Sequence, residues 1–292
     1  MRTHVCGNII PKVRYNNTGK EAIVMMQNLL RHIALVLVVL FATVAQPAEA
    51  QSPEAKIGVV IMHGKGGSPT RHVADLASFL EAKSYLIANL EMPWSGRRQY
   101  DVDVGGAEKE VEAALAELRR KGATKLFVAG HSQGGLFALH CGGTHAIDGV
   151  VAIAPGGNVG NLIFRQTLGE AVERARQLVA EGKGDEKTTF IDFEGSKGTF
   201  PVSATPVAYL SWFRPDGAMN QSDATKRVKV PVLFIAPTGD YPGLLKIKQR
   251  MFGALPRHPL TKLYEPDSTH LGAPSASRDE ILRWTSQVAR GG

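Results

Sequence analysis

The sequence predicts an α/β architecture, a mostly parallel central sheet with helices on both faces. Three observations carry that prediction. Strand-like and helix-like segments alternate through residues 56–292, the rhythm of a parallel sheet joined by helical crossovers. Two of the strand-like runs end directly in glycine or His-Gly, as strands do when a tight loop follows. The chain of 292 residues is 43% hydrophobic and 21% charged, enough apolar content to form a core and too much for a disordered chain.

The elements follow in order. Lys56–Met62 (KIGVVIM) is a short apolar strand closing at His63-Gly64. Arg71–Lys83 reads as a helix and Tyr85–Leu90 as the second strand. Ala107–Lys121 is the clearest helix. Val111, Ala114, Leu115 and Leu118 share one face, cations fill the last turn, and Gly122 stops it. Lys125–Ala129 is the third strand and Gly149–Ala154 the fourth. Val230–Ala236 is the fifth, with Pro231 tolerable only at its start. Leu260 or Thr261 to Tyr264 is a sixth, and Ser277–Val288 a closing helix.

Residues 155–229 interrupt this rhythm. A connection between a helix and a strand usually needs ~2–6 residues, and this one has 75. Leu168, Val172, Ala175 and Val179 mark a helix within it. Thr188–Phe193 and Thr199–Ser203 alternate around Glu194-Gly195-Ser196-Lys197-Gly198, the pattern of a hairpin. The segment is therefore expected to be a structured cap over one edge of the sheet.

Residues 1–50 read as a targeting region. Ile33–Ala45 is an uncharged run of 13 residues. It is shorter than the ~20 a spanning helix needs and of the right length for the apolar part of a secretory signal. Arg31 and His32 precede it, and Ala48-Glu49-Ala50 places small residues where a signal peptidase cuts. Cleavage is expected between Ala50 and Gln51, leaving 51–292 as the working chain, exported to a periplasm or the exterior and without a stable membrane span. Met25 or Met26 is a more natural start than Met1.

Charge and cysteine content exclude several classes. Taking the five cations and two anions of residues 1–50 from the totals of 34 and 27 leaves 29 basic and 25 acidic residues, a net +4 instead of +7. With no Lys/Arg block, a nucleic-acid partner is not expected. Cys6 leaves with the signal, and Cys141 alone has no intramolecular disulfide partner. No C-x-x-C spacing suggests structural zinc, so no metal is expected.

Gly130-His131-Ser132-Gln133-Gly134 has the form G-x-S-x-G, set between the third strand and a helix-like stretch, Gly134–Cys141. A nucleophile on a sharp strand-to-helix turn needs small residues two positions to either side. The turn projects Ser132 at the carboxyl edge of the sheet, beside a helix N-terminus whose dipole favours a developing oxyanion. In this context the chain resembles the α/β-hydrolase family over essentially all of residues 56–290. The resemblance implies an acid and a histidine in the order Ser, Asp/Glu, His. Active groups in open α/β sheets lie beyond the carboxyl ends of strands. Asp240 follows the fifth strand in Pro237-Thr238-Gly239-Asp240. His270 follows the sixth, whereas His258 precedes it at the wrong edge. The expected catalytic set is Ser132, Asp240 and His270, with Asp267 as the competing acid.

His63-Gly64-Lys65-Gly66-Gly67 resembles the family's H-G-x-G oxyanion loop. It fits neither phosphate-loop spacing, and Pro69 stands where G-x-G-x-x-G requires glycine. The N–H groups of Gln133 and Lys65 are the expected oxyanion hole, with Gly66 second, and His63 is expected to order the loop. His140 and Cys141 are expected to be packed. Arg97 and Arg98 follow the second strand, where with Lys65 they would present cations to an anionic substrate; the competing reading pairs them with Asp101 and Asp103. The aromatics of the insertion, Trp212 among them, are expected mainly to form its own core, and some to line an acyl pocket.

The reaction expected from the resemblance is cleavage of an ester or related acyl bond in a small molecule by a serine hydrolase, through an acyl-enzyme and without a cofactor. Peptidase and thioesterase chemistry on the same residues, and a catalytically silent binding protein of this fold, are the alternatives.

Overall fold

Strand β1, Ile57–Met62, is buried at all six positions. Its side chains alternate between two cores: Val60 and Met62 enter one, and Ile57, Val59 and Ile61 the other. Only a sheet covered on both faces asks this of a strand, which is why the run carries no polar side chain. Each fully buried Val or Ile here contributes about 1.5–3 kcal/mol over its exposed state.

The structure is a computed structural model, and it describes Lys12, Gly19, residues 22–31 and residues 55–291. The chain divides into two units, Met1–Glu54 and Ala55–Gly292. In the first, residues 22–31 are helical. The apolar run Ile33–Ala45, the Ala48-Glu49-Ala50 triplet and Cys6 lie outside the described residues. No helix among the described residues is long and apolar enough to cross a membrane.

In the second unit β1 is followed by α1 (Ala74–Glu81), β2 (Leu86–Leu90), α2 (Val104–Arg120), β3 (Lys125–His131), α3 (Gln133–Thr144) and β4 (Gly149–Ile153). The insertion comes next: α4 (Leu162–Ala180), the strands β5 (Thr188–Glu194) and β6 (Gly198–Ala204), α5 (Pro206–Phe213) and α6 (Gln221–Arg227). The main rhythm resumes with β7 (Val232–Ile235), α7 (Pro242–Gly253), β8 (Lys262–Tyr264), α8 (Ala273–Ala276) and α9 (Arg278–Ala289). Six strands form the central sheet in the order β2-β1-β3-β4-β7-β8, every neighbouring pair parallel. β5 and β6 form a separate antiparallel hairpin. Buried residues of α2, α3, α7 and the insertion share one core, and those of α1 and α9 the other. The predicted fold class is the observed one.

Several element boundaries differ from expectation for local reasons. α2 starts at Val104, not Ala107, because Asp103 caps it, its side chain accepting from Gly106 N at 2.7 Å. β3 runs two residues further than expected, to His131, so the chain leaves the sheet directly into Ser132. β7 starts after Pro231, which has no N–H for the ladder. In α4 Leu168, Val172 and Ala175 are buried, but Val179 is exposed at the helix end. The helices α5, α6 and α7 were not anticipated. Their starts carry legible signals: Thr205 and Asn220 cap α5 and α6, and Pro206 and Pro242 stand in the first turns of α5 and α7.

Candidate active site

The turn between β3 and α3 holds Ser132 at φ 55° and ψ −117°, a region that costs a non-glycine residue about 1–3 kcal/mol. The surroundings leave the chain no easier course. A Cβ on Gly134 would lie 2.5 Å from Met62 O and 2.7 Å from His63 O, and one on Gly130 would run into Gly134 O. The backbone of Ser132 is pinned on both sides: its N–H donates to Ile153 O at 2.9 Å, and its carbonyl accepts from Gly156 N at 3.0 Å. Ser132 stands at the N-terminus of α3 with no side-chain cap bond, in the wall of a cavity of about 710 Å³.

His270 and Asp240 come to this edge from adjacent strands. The chain after β7 and the chain after β8 run side by side, with Thr238 N donating to Pro266 O and Gly239 N to Ser268 O, each at 2.9 Å. Gly239 and Thr269 form a parallel bridge, which brings Asp240 and His270 level. His270 Nδ1 then lies 2.7 Å from Asp240 Oδ1, an oxygen that also accepts from Tyr241 N at 2.7 Å. Both side chains are buried, and His270 lines the same cavity as Ser132. The His270 ring stands between two others, His131 at 4.9 Å and Tyr241 at 4.5 Å between centroids. His131 Nε2 donates to the His270 carbonyl at 2.9 Å. Burial, and after it the proximity of His270, hold the His131 pKa down to about 3, so its imidazole is neutral.

Asp267 is exposed; its Oδ1 accepts from Thr238 Oγ1 at 3.3 Å. His258 is exposed before β8, away from this edge. The sequence-predicted acid and histidine are thus in contact, and the histidine and serine line one cavity, whereas Asp267 and His258 do not line it.

The loop 63–67 packs against the turn, close enough that a Cβ on Gly64 would lie 3.1 Å from Ser132 Cβ. His63 orders this loop, as anticipated: its Nδ1 donates to Gly64 O at 2.7 Å and its Nε2 accepts from Met92 N at 3.0 Å. Burial lowers its pKa, which suits that neutral form. Trp94 Nε1 donates to His63 O at 2.8 Å. Gly66 N donates to Trp94 O at 2.9 Å, so the second-choice oxyanion donor is already committed. No hydrogen bond among the described residues uses the backbone N–H of Lys65 or Gln133, and Gln133 is the first residue of α3, where helix geometry leaves N–H groups without intrahelical partners.

Of the expected anion-binding cations, Arg97 and Arg98 are not in the cavity wall. Arg97 pairs with Glu91, its Nε donating at 2.8 Å. Arg98 is spanned by Asp101 at 3.0 Å and Glu110 at 2.6 Å. Lys65 reaches the cavity wall, but its ammonium is paired with Asp192 at 2.5 Å. Asp103, the other carboxylate considered for the arginines, is occupied in capping α2. Trp212 is buried away from the cavity. Its ring lies 5.5 Å from Trp94 and 5.6 Å from Phe137, and its N–H donates to Val102 O at 2.8 Å. Arg97, Arg98 and Trp212, the residues expected to contact substrate, are thus not among those that line the cavity. His140 pairs with Glu108 at 2.7 Å and Cys141 is buried, its thiol pKa pushed up by burial.

The apolar residues that do line the cavity are others: Ile163 and Phe164 of α4, Phe193 of β5, and Tyr241, Leu244 and Ile247 at the start of α7. Phe193 is one of the insertion's aromatics, some of which were expected at an acyl pocket; Ile163 and Phe164 precede the residues that mark α4 in the sequence, and Tyr241, Leu244 and Ile247 belong to α7, for which no helix was expected. Among the described residues no cluster of His, Cys, Asp and Glu is placed to hold a metal ion.

Comparison with known proteins agrees with this fold. No curated protein matches the sequence. Among solved structures, a monoacylglycerol lipase from Paleococcus ferrophilus aligns with a TM-score of 0.56 at 21% identity, covering 79% of this chain and 94% of that one. The metagenome-derived lipolytic enzymes LipS and LipT give a TM-score of 0.54 at 19% identity, covering 82% and 96%. Est1E from Butyrivibrio proteoclasticus with ferulic acid bound gives 0.53 at 17% identity, covering 80% and 92%. At these identities the likeness is one of fold. The profile described as the alpha/beta hydrolase family matches residues 59–284, nearly the whole of the second unit, and the chain belongs to that family.

Proposed function

We propose that the protein is an exported serine hydrolase that cleaves an ester or related acyl bond of a small molecule. The observation that carries this reading is the 2.7 Å contact of Asp240 with Nδ1 of His270, a histidine that lines the same cavity as the strained Ser132.

The chemistry follows from the roles such groups can take. With Nδ1–H donated to Asp240, His270 keeps Nε2 free to accept a proton. Ser132 Oγ attacks the acyl carbon as that proton moves to Nε2, and Asp240 stabilises the imidazolium. The carbonyl oxygen, now an oxyanion, is taken by the N–H groups of Gln133 and Lys65. Collapse expels the leaving group, which takes the proton from His270, and leaves an acyl-Ser132. Water then repeats the cycle, giving the carboxylic acid and free serine. The mostly apolar wall of Phe164, Phe193 and Leu244 suits an acyl or aryl group.

The lipase and esterase neighbours are consistent with this reading at the level of fold. Export rests on the 13-residue apolar run and Ala48-Glu49-Ala50; N-terminal sequencing of the protein from its native compartment is expected to begin at or near Gln51. The decisive experiment is labelling with a fluorophosphonate beside a panel of esters of varied acyl length. Stoichiometric labelling at Ser132 with turnover of at least one ester is expected. No labelling and no turnover would point to a silent binding protein, and turnover of amides or thioesters in preference to esters would move the reading to those classes.

A further inference from the structure

The buried ion pair of Lys65 has no part in the chemistry described above, yet it joins four distant parts of the chain at the proposed oxyanion hole. Asp192, on β5 of the insertion, is completely buried. Its Oδ1 accepts from Lys65 Nζ at 2.5 Å and from Phe193 N at 2.6 Å, and its Oδ2 from the Tyr100 hydroxyl at 2.7 Å. Lys65 Nζ also donates to Phe193 O at 3.0 Å and lies 5.5 Å and 5.7 Å from the ring centres of Phe164 and Phe213. The Tyr100 hydroxyl, which donates to Asp192, also lies 3.4 Å from Gln133 Oε1, the longer of its two contacts to an acceptor. Burial, reinforced by Asp192, raises the Tyr100 pKa well above its ordinary value and keeps the hydroxyl a donor.

A buried pair of this kind is a poor device for stability alone, since apolar groups of the same volume serve as well or better. It is a good device for fixing geometry, because one arrangement satisfies every group and neighbouring arrangements strand a charge. The pair includes one of the two residues proposed to supply the oxyanion N–H groups, Lys65, and reaches the other, Gln133, through Tyr100. We propose that Asp192 is a positioning residue that holds the oxyanion hole in register, clamping Lys65 directly and Gln133 through Tyr100, so that a seated β5–β6 hairpin is a condition of catalysis. The proposal rests on the Ser132 mechanism above.

The test uses the full chain with Lys65→Met, Asp192→Asn and Tyr100→Phe. Lys65→Met keeps the backbone donor and removes the ammonium; Tyr100→Phe removes one oxygen and is the variant that folds if the other two do not. Active sites are counted by fluorophosphonate titration, and kcat and KM are expressed per titrated site. Affinities are measured for a trifluoromethyl ketone, to whose carbonyl carbon Ser132 Oγ adds as its proton passes to His270, and for the product carboxylic acid, which forms no such oxyanion.

For Lys65→Met and Asp192→Asn, kcat is expected to fall ~10- to 100-fold with KM within about threefold. The ketone should weaken by a similar factor while the product acid does not, and Tyr100→Phe should show the same pattern to a smaller degree. Per-site kcat within about twofold of wild type in the variants that fold, or equal weakening of ketone and acid, overturns the proposal. A wild-type chain that neither labels at Ser132 nor turns over an ester overturns the parent reading instead, so the two failures are told apart.

Discussion

Asp240 and His270 stand 30 residues apart in the sequence, and their side chains meet at 2.7 Å because the residues immediately before them, Gly239 and Thr269, are bridged in parallel register. The ladder of β7 and β8 is continued past the strand ends by two backbone bonds, Thr238 to Pro266 and Gly239 to Ser268. An acid and an imidazole on adjacent parallel strands are thereby delivered to the same edge at the same height. Asp267, on the β8 side of this pair of loops, is exposed.

That geometry separates the two carboxylates experimentally. Asp240→Asn is expected to lower kcat/KM by ~10⁴-fold, because the amide no longer holds His270 in the working tautomer. Ser132→Ala and His270→Ala should be at least as severe. Asp267→Asn should stay within about twofold of wild type. Steady-state kinetics on any ester the wild type cleaves decides this, and a large loss in Asp267→Asn with little in Asp240→Asn would reverse the assignment.

Gly134 gives a prediction about folding rather than chemistry. A Cβ there would sit 2.5 Å from Met62 O and 2.7 Å from His63 O, both backbone atoms of β1 and its following loop. Neither moves without disturbing the sheet. Gly134→Ala is therefore expected to cost more than the ~1–3 kcal/mol typical of overpacking and to leave little folded protein. Soluble yield and circular dichroism check it. A well-folded but inactive Gly134→Ala would show that the loop 63–67 yields more easily than its hydrogen bonds suggest.

The parts of this architecture that follow from period and punctuation were legible in the sequence. β1, β3 and β4 declare themselves as apolar runs, and Ser132 stands out because a strand feeds it and glycines flank it. Asp240 and His270 follow once the carboxyl edge is chosen. Long-range pairing is what the sequence hides. The pairing of Arg98 with Asp101, three residues on, was open to a local reading, but that Glu110 of α2 also takes Arg98 depends on how the loop after β2 sits against that helix, which no local pattern encodes. Asp192 carries a local signal of its own. It shares one face of β5 with Phe190, both buried, and a charge on the inward face of an alternating strand needs a partner.

The aromatic residues of the insertion divide into two groups with different expected phenotypes. Trp212 is 1% exposed, packed among Trp94, Tyr100 and Phe137, and absent from the cavity wall. Trp212→Ala should cost about 3–5 kcal/mol of stability with no change in acyl preference among the sites that remain folded. Phe164 is part-exposed, lines the cavity and meets Phe193 edge-on at 5.2 Å. Phe164→Ala should leave the melting temperature near wild type and shift preference toward bulkier acyl groups. Denaturant melts and the ester panel, run on both variants, check the division; the opposite pattern would place Trp212 at the substrate.

His131 is expected to weaken the fold in acid. It is 2% exposed, its Nε2 donates to His270 O at 2.9 Å, and its pKa in the folded protein is about 3. In the unfolded chain a histidine titrates near ~6.5. Between these values the unfolded state binds a proton that the folded state refuses, so stability falls as pH drops through that window. The limiting slope is about 1.4 kcal/mol per pH unit for this one group, and above pH ~7 its contribution is constant. His63, also buried with a lowered pKa, acts in the same direction. His131→Gln keeps an N–H donor for the His270 carbonyl and removes the titration. Urea melts from pH 7.5 to 4.5 are expected to show a steep loss in wild type and a slope shallower by about one proton in His131→Gln. Identical slopes in the two proteins would mean that His131 is protonated in the fold and that the loss of stability in acid comes from other groups.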